Sequence, residues 1–303
     1  MKIAMIGAGA MGSLFGSLLA EAGKSVTLLD IRKDHVDAIN THGLTVEKGG
    51  QQKTVRISAT MDAETIGPVD LALVFVKSTH TDDAARTAAR LAGSTGLVLT
   101  LQNGMGNADT LANALDPGRV IAGTTSHGAT FLGPGAIRHA GEGETVIGPW
   151  APTAMDKAES VADFFNQAGI VTRAVPDVHA LLWAKLFINI GINAITALTG
   201  IKNGQILDLK STRALAREAV NEAMAVARAR GIAIQGDPVE KVYQVADATG
   251  PNRSSMGQDV DQGRATEINA INGFIVRMAR EAGIPVPVNQ TLTALIETLQ
   301  AHY

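Results

Sequence analysis

The chain contains no cysteine among its 303 residues. This absence excludes a disulfide framework, a thiolate metal site and a cysteine nucleophile, and it is compatible with a reducing cytosol. The seven histidines include no pair at i, i+3 or i, i+4 spacing, which is the helical spacing that would place two ligands beside one zinc ion. The sequence therefore predicts no metal site.

Long runs of like charge are also missing. Acids and bases are mixed along the chain and the formal net charge is −3, which favours neither nucleic acid nor an anionic membrane as a partner. The apolar run at residues 3–6 is shorter than a signal-peptide core. Only residues 181–198 are apolar enough for a membrane span, but they carry polar side chains near their middle, where such groups are costly in lipid. We expect a cytoplasmic protein with a small-molecule substrate, and the sequence leaves open whether it forms a homodimer.

The order of apolar patterns predicts two domains of different kinds. A hydrophobic content of 46% with 18% charged residues is typical of a globular protein, and the length favours more than one core. Strand and helix patterns alternate up to about residue 175, which predicts a parallel sheet covered by helices on both faces. Beyond that point only helical patterns occur. We therefore predict an α/β domain over residues 1–175 and an all-helical domain over residues 176–303.

Individual elements are predicted from periodicity and from turn residues. Buried strands are indicated at 3–6, 25–30, 70–78 and 96–104, and a hairpin turning on Gly49-Gly50. Proline and glycine breaks separate the helical patterns of the second domain. The predicted helices cover 178–199, 211–230, 238–248, about 255–282 and 288–302.

A glycine loop follows the first strand. The stretch "IGAGAMG" has the G-x-G-x-x-G spacing, in which Gly7 allows a tight turn, Gly9 lets the backbone approach a pyrophosphate and Gly12 lets helix and strand pack closely. Strand, loop and helix come in the required order, so we predict a dinucleotide-binding Rossmann domain. The loop residues expected to hold the cofactor are Gly7, Ala8, Gly9, Ala10, Met11 and Gly12.

Asp30 ends the second strand, 18 residues beyond Gly12. A carboxylate at this position accepts hydrogen bonds from an adenosine ribose diol and repels a 2′-phosphate, which favours NADH over NADPH. Arg32 and Lys33 follow at once, and Arg32 is kept as a cofactor candidate because it could pair with a phosphate. The alternative is that both are solvated loop charges.

One face of the first helix of the second domain carries a polar stripe. Lys185, Asn189 and Asn193 recur at steps of four within "LLWAKLFINIGINAITAL", so they lie on one side of an otherwise apolar helix. In the alternative interpretation these residues have no ligand: the lysine extends its ammonium to water, and the amides find hydrogen-bond partners within the core. Three such groups together favour a polar ligand site, because buried polar groups without partners are costly.

At this point the chain resembles the ketopantoate reductase family over residues 1 to about 300. The motifs that carry the resemblance are "GAGAMGS", "QNGMG" (102–106), "GTTSHGA" (123–129), "LWAKLFINIGINAITAL" (182–198), "NRSSMGQDV" (252–260) and "TEINAINGFIVRMARE" (266–281). The resemblance implies reduction of a 2-keto acid with a nicotinamide cofactor, as in pantothenate biosynthesis. It also implies a Rossmann domain and an all-α C-terminal domain similar to that of 6-phosphogluconate dehydrogenase, with the site between them.

The resemblance assigns roles to the residues of the helical part. Lys185 matches the catalytic lysine and Glu267, in "TEINAING", matches the active-site glutamate. Asn189 and Asn193 match two amides that bind the substrate, and Ser255 looks like the serine that binds its carboxylate. Without the resemblance, Glu267 would be interpreted as an exposed helix glutamate. Ser255 with Gln258 forms an S-x-x-Q pattern, which predicts that Ser255 is also a helix N-cap.

Two further residues are implied on the cofactor side. Asn103, in "QNGMG", matches an asparagine that lies between nicotinamide and substrate, and Lys77 resembles a lysine that follows the third strand beside the cofactor. Asp30 differs from the basic residue of NADPH-using members. Asn269 and Ala270 replace an acid and an aromatic residue found in "TEIDYING" variants.

The chemistry of ketone reduction fits these residue types. Hydride transfer leaves negative charge on oxygen, and an ammonium such as that of Lys185 stabilises this charge and donates the proton. The leading hypothesis is NAD(P)H-dependent reduction of ketopantoate to (R)-pantoate. Two alternatives stay open: an NAD-dependent D-2-hydroxyacid dehydrogenase acting on another branched 2-keto acid, and a nicotinamide-sensing protein without turnover. No chemistry is assigned to His127.

Overall fold

A computed structural model describes all 303 residues and divides them into two compact units. The first, here called the α/β unit, consists of Met1–Gln102 and Asn107–Val178. The second, the helical unit, consists of Asn103–Gly106 and His179–Tyr303. The short loop Asn103–Gly106 therefore packs with the helical unit although it lies within the sequence of the other.

The α/β unit contains twelve strands and five α-helices. The strands are β1 (Lys2–Ile6), β2 (Ser25–Leu29), β3 (Leu44–Lys48), β4 (Gln51–Val55), β5 (Ser58–Thr60), β6 (Leu71–Val74), β7 (Leu97–Thr100), β8 (Val120–Thr125), β9 (Gly128–Gly133), β10 (Ala136–Gly141), β11 (Thr145–Pro149) and β12 (Thr172–Ala174). The helices are α1 (Ala10–Glu21), α2 (Lys33–His42), α3 (Thr81–Ala92), α4 (Asn107–Ala114) and α5 (Met155–Gln167).

Eight of these strands form the main sheet, in the order β12-β11-β8-β7-β6-β1-β2-β5. The six strands from β8 to β5 are all parallel, as predicted, and their order is that of a Rossmann fold. The parallel arrangement ends at β11, which pairs antiparallel with β8 and parallel with β12. The carboxyl ends of β1, β2 and β6 meet at one edge, where Rossmann folds bind their ligands.

Alternate residues of the central strands enter different cores. Ile3 and Met5 of β1 belong to one hydrophobic cluster, while Ala4 and Ile6 belong to another. Since successive side chains of a strand point to opposite faces, the sheet is buried on both faces. This explains why β1 appears in the sequence as a continuous apolar run.

A second sheet, with the order β4-β3-β10-β9, lies within the same unit. Its β3–β4 hairpin pairs Lys48 with Gln51 and turns on Gly49 and Gly50, which have φ values of +56° and +79°. Positive φ at both central residues is the requirement of a tight two-residue hairpin turn, and the predicted turn is confirmed.

The helical unit is built from six α-helices: α6 (Val178–Thr199), α7 (Lys210–Ala229), α8 (Pro238–Ala248), α9 (Ser255–Asp261), α10 (Asn272–Ala282) and α11 (Pro287–Gln300). Helix α6 is long and apolar enough to cross a membrane by length and composition, but 67% of its most apolar window is buried inside the protein. Trp183, Phe187 and Ile190 of this helix contribute to the core of the unit. Its apolar character is thus that of a core helix.

The single helix predicted over about 255–282 is wrong. Helix α9 ends at Asp261, Gly263 adopts a positive φ of +59°, and a short 3₁₀ turn at Ile268–Ala270 precedes α10. The interruption places Glu267 in a turn rather than in a helix.

Candidate active site

The polar stripe of α6 has the predicted geometry. Lys185 and Asn189 are partly buried, and Asn193 is 5% exposed, within a helix whose other faces are packed in the core. Neither Asn189 nor Asn193 makes a side-chain hydrogen bond within the protein, although the amide of a buried asparagine ordinarily has such partners. Their amide groups are therefore available to a ligand on this face of the helix.

Lys185 is electrostatically linked to Glu267. Burial lowers the pKa of Lys185 to about 8, and the negative charge of Glu267 opposes that shift. Glu267 is partly buried in the turn before Ile268–Ala270, and the alternative of an exposed helix glutamate is wrong. A lysine of this kind is still an ammonium at neutral pH, and its proton is easier to release than that of an exposed lysine.

The loop of Asn103 is fixed against the turn that contains Glu267. The backbone N–H of Met105 donates to the carbonyl of Ala270 at 2.8 Å. Gly104 has a φ of +79°, and a Cβ atom built on it would lie 2.7 Å from the same carbonyl oxygen, so this position requires glycine. The structure thus brings the partly buried Asn103 into the unit that holds Lys185 and Glu267.

The predicted N-cap at Ser255 is wrong by one residue. Ser254 is the N-cap of α9: it is 5% exposed, and its Oγ accepts a hydrogen bond from the N–H of Gly257 at 3.0 Å. Its hydroxyl also lies 2.7 Å from that of Thr196 at the end of α6. Ser255 is exposed at the first helical position. Its hydroxyl is thereby free of the capping role that the S-x-x-Q pattern suggested.

The glycine loop has distinct requirements at each glycine. Gly7 has a φ of +93°, and a Cβ on it would meet the backbone of Val76 at 2.8 Å. A Cβ on Gly12 would lie 1.9 Å from the carbonyl oxygen of Gly7, whereas one on Gly9 would meet nothing within 4 Å. Gly7 and Gly12 are therefore dictated by the fold itself. Gly9 is not, and the open space beside it lies at the N-terminus of α1.

Asp30 lies just beyond β2 with its side chain 9% exposed. Its Oδ1 accepts a hydrogen bond from the backbone N–H of Arg32 at 3.0 Å and lies 3.4 Å from Nε of the same residue. The Arg32 guanidinium also stacks over the ring of Phe131, 4.1 Å from its centroid. The Arg32 side chain is thus held beside Asp30 while 39% of it remains exposed. Lys33 is a solvated charge, exposed and paired with Asp37 at 2.5 Å.

Lys77 is partly buried three residues beyond the end of β6 and directly precedes a 3₁₀ turn at Ser78–His80. The neighbouring backbone is held by Gln102, whose Nε2 donates to the carbonyl of Val76 at 2.7 Å and to Thr81 Oγ1 at 2.9 Å. Gln102 was not singled out by the sequence analysis, although it opens the "QNGMG" motif. Its signal was a polar residue near the end of the apolar run that was predicted as a strand over 96–104.

His127 and His139 form a pair that the sequence did not indicate. Nδ1 of His127 lies 3.3 Å from Nε2 of His139, and the His127 ring meets Phe15 edge-on at 5.6 Å between centroids. Burial and the neighbouring His139 lower the pKa of His127. The structure contains no group of three or more His, Asp or Glu side chains placed to hold a metal ion.

The two units thus carry different candidate residues. The α/β unit holds the glycine loop with Asp30, Arg32 and Lys77, on a sheet with Rossmann strand order. The helical unit holds Lys185 with Glu267, together with Asn103, Asn189, Asn193 and Ser255. This combination defines the class of the protein as a nicotinamide-dependent oxidoreductase acting on CH–OH groups.

The chain belongs to the ketopantoate reductase family. The family model described as ketopantoate reductase PanE/ApbA matches residues 3–152, and the model of its C-terminal part matches residues 177–300. Members are pyridine-nucleotide-dependent reductases.

Relatives of known name share the whole length of the chain. A 2-dehydropantoate 2-reductase of Halobacterium salinarum is 38% identical over 301 residues, covering 99% of both chains. One from Pyrococcus horikoshii is 37% identical and covers 99% of this chain and 98% of its own.

Solved structures agree with the family. A PanE/ApbA family ketopantoate reductase from Ralstonia eutropha JMP134 is 37% identical, with a TM-score of 0.91 over 100% of this chain and 99% of its own. A D-mandelate dehydrogenase bound to NADH and anilino(oxo)acetate is 26% identical, with a TM-score of 0.93 and the same coverage.

Proposed function

We propose that this protein reduces 2-dehydropantoate (ketopantoate) to (R)-pantoate with a nicotinamide dinucleotide, in the cytoplasm, as a step of pantothenate biosynthesis. The observation that carries the proposal is the stripe of Lys185, Asn189 and Asn193 on one face of α6, with Glu267 acting on the lysine. Relatives named 2-dehydropantoate 2-reductase at 37–38% identity over the whole chain support it.

The glycine loop fits a dinucleotide. Open space at Gly9, the start of α1 and a buried acid after β2 provide room and backbone donors for a pyrophosphate and an acceptor for a ribose. A bound reduced nicotinamide supplies the hydride. We propose that residues 1–175 bind the dinucleotide through the glycine loop, Asp30, Arg32 and Lys77. In this proposal residues 176–303 carry the catalytic and most substrate-binding groups.

Lys185 is the proposed proton donor. When the carbonyl carbon accepts hydride, its π electrons move to the oxygen, and the proton on Nζ transfers to that oxygen to give the hydroxyl group. With a pKa of about 8, the lysine is largely protonated at pH 7 and is a stronger acid than an ordinary lysine, which suits a proton donor. Glu267 is proposed to keep the ammonium charged between turnovers.

The remaining polar groups are proposed to orient the keto acid. The amides of Asn189 and Asn193 have no partner in the protein and can both donate and accept, so they suit a hydroxyl or a carboxylate without adding charge. Ser255 presents an exposed hydroxyl in the first turn of α9 and is the proposed carboxylate contact. Asn103 is proposed to contact both cofactor and substrate.

We further propose that NADH is preferred over NADPH. The side chain of Asp30 is largely buried at the end of β2, where it would repel a 2′-phosphate. Arg32 has its guanidinium held by Asp30 and Phe131, and this reduces its freedom to pair with a phosphate.

A second candidate substrate is another branched or aromatic 2-keto acid. The similarity to a D-mandelate dehydrogenase solved with NADH favours it, as does the acid at the end of β2. The product would again be a D-2-hydroxy acid, formed by the same proton transfer from Lys185.

A panel of 2-keto acids, assayed for oxidation of NADH and NADPH in parallel, tests the function. We expect the highest kcat/KM for ketopantoate with NADH. A higher value for another 2-keto acid would replace the substrate and keep the reaction class. No oxidation with any acid, combined with tight NADH binding, would favour a sensor and overturn the proposal.

A further inference from the structure

His35 is buried on α2 and none of the roles above uses it. It is 0% exposed, as is Ser13 on α1. Its Nδ1 accepts a hydrogen bond from the backbone N–H of Gly135 at 2.9 Å, and its Nε2 lies 3.3 Å from Ser13 Oγ. Ser13 Oγ in turn donates to the carbonyl of Ala8 at 2.8 Å. The Gly135 N–H, the His35 ring, the Ser13 hydroxyl and the Ala8 carbonyl thus form a continuous hydrogen-bond chain from the β9–β10 turn to the glycine loop.

The direction of each hydrogen bond in this chain is fixed by chemistry. A backbone N–H can only donate, so Nδ1 of His35 must be the acceptor and the ring proton of a neutral imidazole must be on Nε2. Nε2–H then donates to Ser13 Oγ, which leaves the Ser13 hydroxyl proton for the Ala8 carbonyl. The opposite tautomer would turn the Ser13 proton towards the ring and away from Ala8.

The surroundings of His35 keep it neutral. Burial and the positive charge of Arg32 lower the pKa of His35, and the carboxylate of Asp30, a hydrogen bond with the backbone of Ala8 and the carboxylate of Asp34 oppose that shift. Asp34 also accepts from the backbone N–H of His35 at 2.8 Å, and the ring meets Phe131 edge-on at 5.1 Å. At neutral pH the ring therefore has one acceptor and one donor nitrogen, as the chain of hydrogen bonds requires.

This hydrogen-bond chain ends at the peptide bond between Ala8 and Gly9, in the glycine loop. The N–H of a trans peptide points opposite to its C=O, so a bond that holds the Ala8 carbonyl inward also aims the N–H of Gly9 outward. A Cβ built on Gly9 would meet nothing within 4 Å, so there is room for a ligand beside this peptide. We infer that His35 is a positioning residue which, through Ser13, presets the Gly9 N–H for the pyrophosphate of the dinucleotide. This inference rests on the proposed dinucleotide binding.

Two variants of His35 test its two hydrogen bonds separately, because each variant keeps one bond and removes the other. Gln places an amide NH₂ near the position of Nε2, so His35→Gln keeps the donor to Ser13 and loses the acceptor for Gly135. Asn places its oxygen near Nδ1, so His35→Asn keeps the Gly135 bond and loses the donor. We expect His35→Asn and Ser13→Ala each to raise the Kd for NADH roughly fivefold, the equivalent of about 1 kcal/mol for one hydrogen bond. His35→Gln should stay within about twofold of the wild type, since the donor that directs Ser13 survives.

The Kd for NADH is measured by titration of each full-length variant, and kcat is measured at saturating NADH. The expected result is a changed Kd with an unchanged kcat, and no change for the control His42→Asn, which alters an exposed histidine on the same helix. Equal effects of His35→Asn and His35→Gln on Kd would overturn the inference, because a merely structural histidine suffers from both. If neither His35 variant folds, Ser13→Ala decides: an unchanged Kd overturns the inference.

A second readout does not depend on the cofactor. Nitrogen-15 NMR of the imidazole ring distinguishes the two neutral tautomers, and we expect the proton of His35 on Nε2. A proton on Nδ1 would overturn the inference even if NADH binds well. Failure of the wild type to bind NADH or NADPH while His35 shows the Nε2–H tautomer would instead overturn the proposed dinucleotide binding.

Discussion

Lys185 has two opposing influences on its charge. Removal from water destabilises its ammonium, and the carboxylate of Glu267 stabilises it, which leaves a pKa of about 8. The position of this lysine, and of the two amides on the same face, was predictable because helical spacing alone places them together. The pKa was not, since it depends on burial and on a residue 82 positions away in the sequence.

This balance predicts a pH dependence. Reduction requires protonated Lys185, so kcat/KM should fall as the pH rises through about 8. Glu267→Gln removes the charge that raises the pKa of Lys185. In this variant kcat/KM should therefore begin to fall at a lower pH than in the wild type. Steady-state rates between pH 6 and 10 test this. If kcat/KM falls at the same pH in Glu267→Gln as in the wild type, the glutamate does not act on the lysine.

Asp30 gives a second prediction at this scale. Replacing its carboxylate removes the proposed acceptor for the ribose diol, and it removes the repulsion of a 2′-phosphate. Asp30→Ala should therefore raise the KM for NADH more than the KM for NADPH. Asp37→Ala is a suitable control, because that acid is exposed on α2 and is paired with Lys33. Equal losses for both cofactors with Asp30→Ala would mean that this acid does not distinguish them.

At the scale of elements, local patterns predicted boundaries well where a helix is continuous. Helices α6 and α8 match the predicted 178–199 and 238–248. The error over 255–282 arose because residues 262–266 contain no proline and only one glycine, Gly263, and the break also involves tertiary contacts. One of these is the side chain of Gln300, which accepts from the N–H and the hydroxyl of Thr266 at 3.0 and 2.9 Å.

The glycine loop allows a matched pair of substitutions. Gly12→Ala would press its methyl group into the carbonyl of Gly7, so it should destabilise the fold by about 1–3 kcal/mol, as overpacking does. Gly9→Ala has room for its methyl group and should leave Tm nearly unchanged while it weakens dinucleotide binding. Thermal unfolding and NADH titration of both variants test this. If Gly9→Ala binds NADH like the wild type, the pyrophosphate does not approach at this position.

The two adjacent serines of α9 form another pair. Ser254→Ala removes the N-cap and the contact with Thr196, and should lower the free energy of unfolding by about 1 kcal/mol. Ser255→Ala removes only an exposed hydroxyl, so stability should be unchanged while the KM for the 2-keto acid rises. Denaturant unfolding and steady-state kinetics separate the two effects. An unaltered KM in Ser255→Ala would exclude this serine from substrate binding.

At the scale of the whole molecule, the sequence predicted an α/β part and an all-helical part, and the structure has both. The second sheet could not be anticipated, because its strands β3 and β10 are more than 80 residues apart and pair only in the folded state. The sequence also did not predict that Asn103–Gly106 belongs to the helical unit. It depends on a contact between Met105 and Ala270 that no local pattern contains. The exact domain border at 175/176 and the roles of the site residues stay predictions.

The central claim is that Lys185 protonates the substrate oxygen during reduction of a 2-keto acid. The most direct measurement is kcat for the best 2-keto acid at saturating cofactor in Lys185→Ala, with the exposed Lys241→Ala on α8 as the control. We predict a loss of about 10²- to 10⁴-fold in Lys185→Ala, the range of general acid catalysis, with the Kd for NADH and the control unchanged. Wild-type turnover in Lys185→Ala would contradict the account.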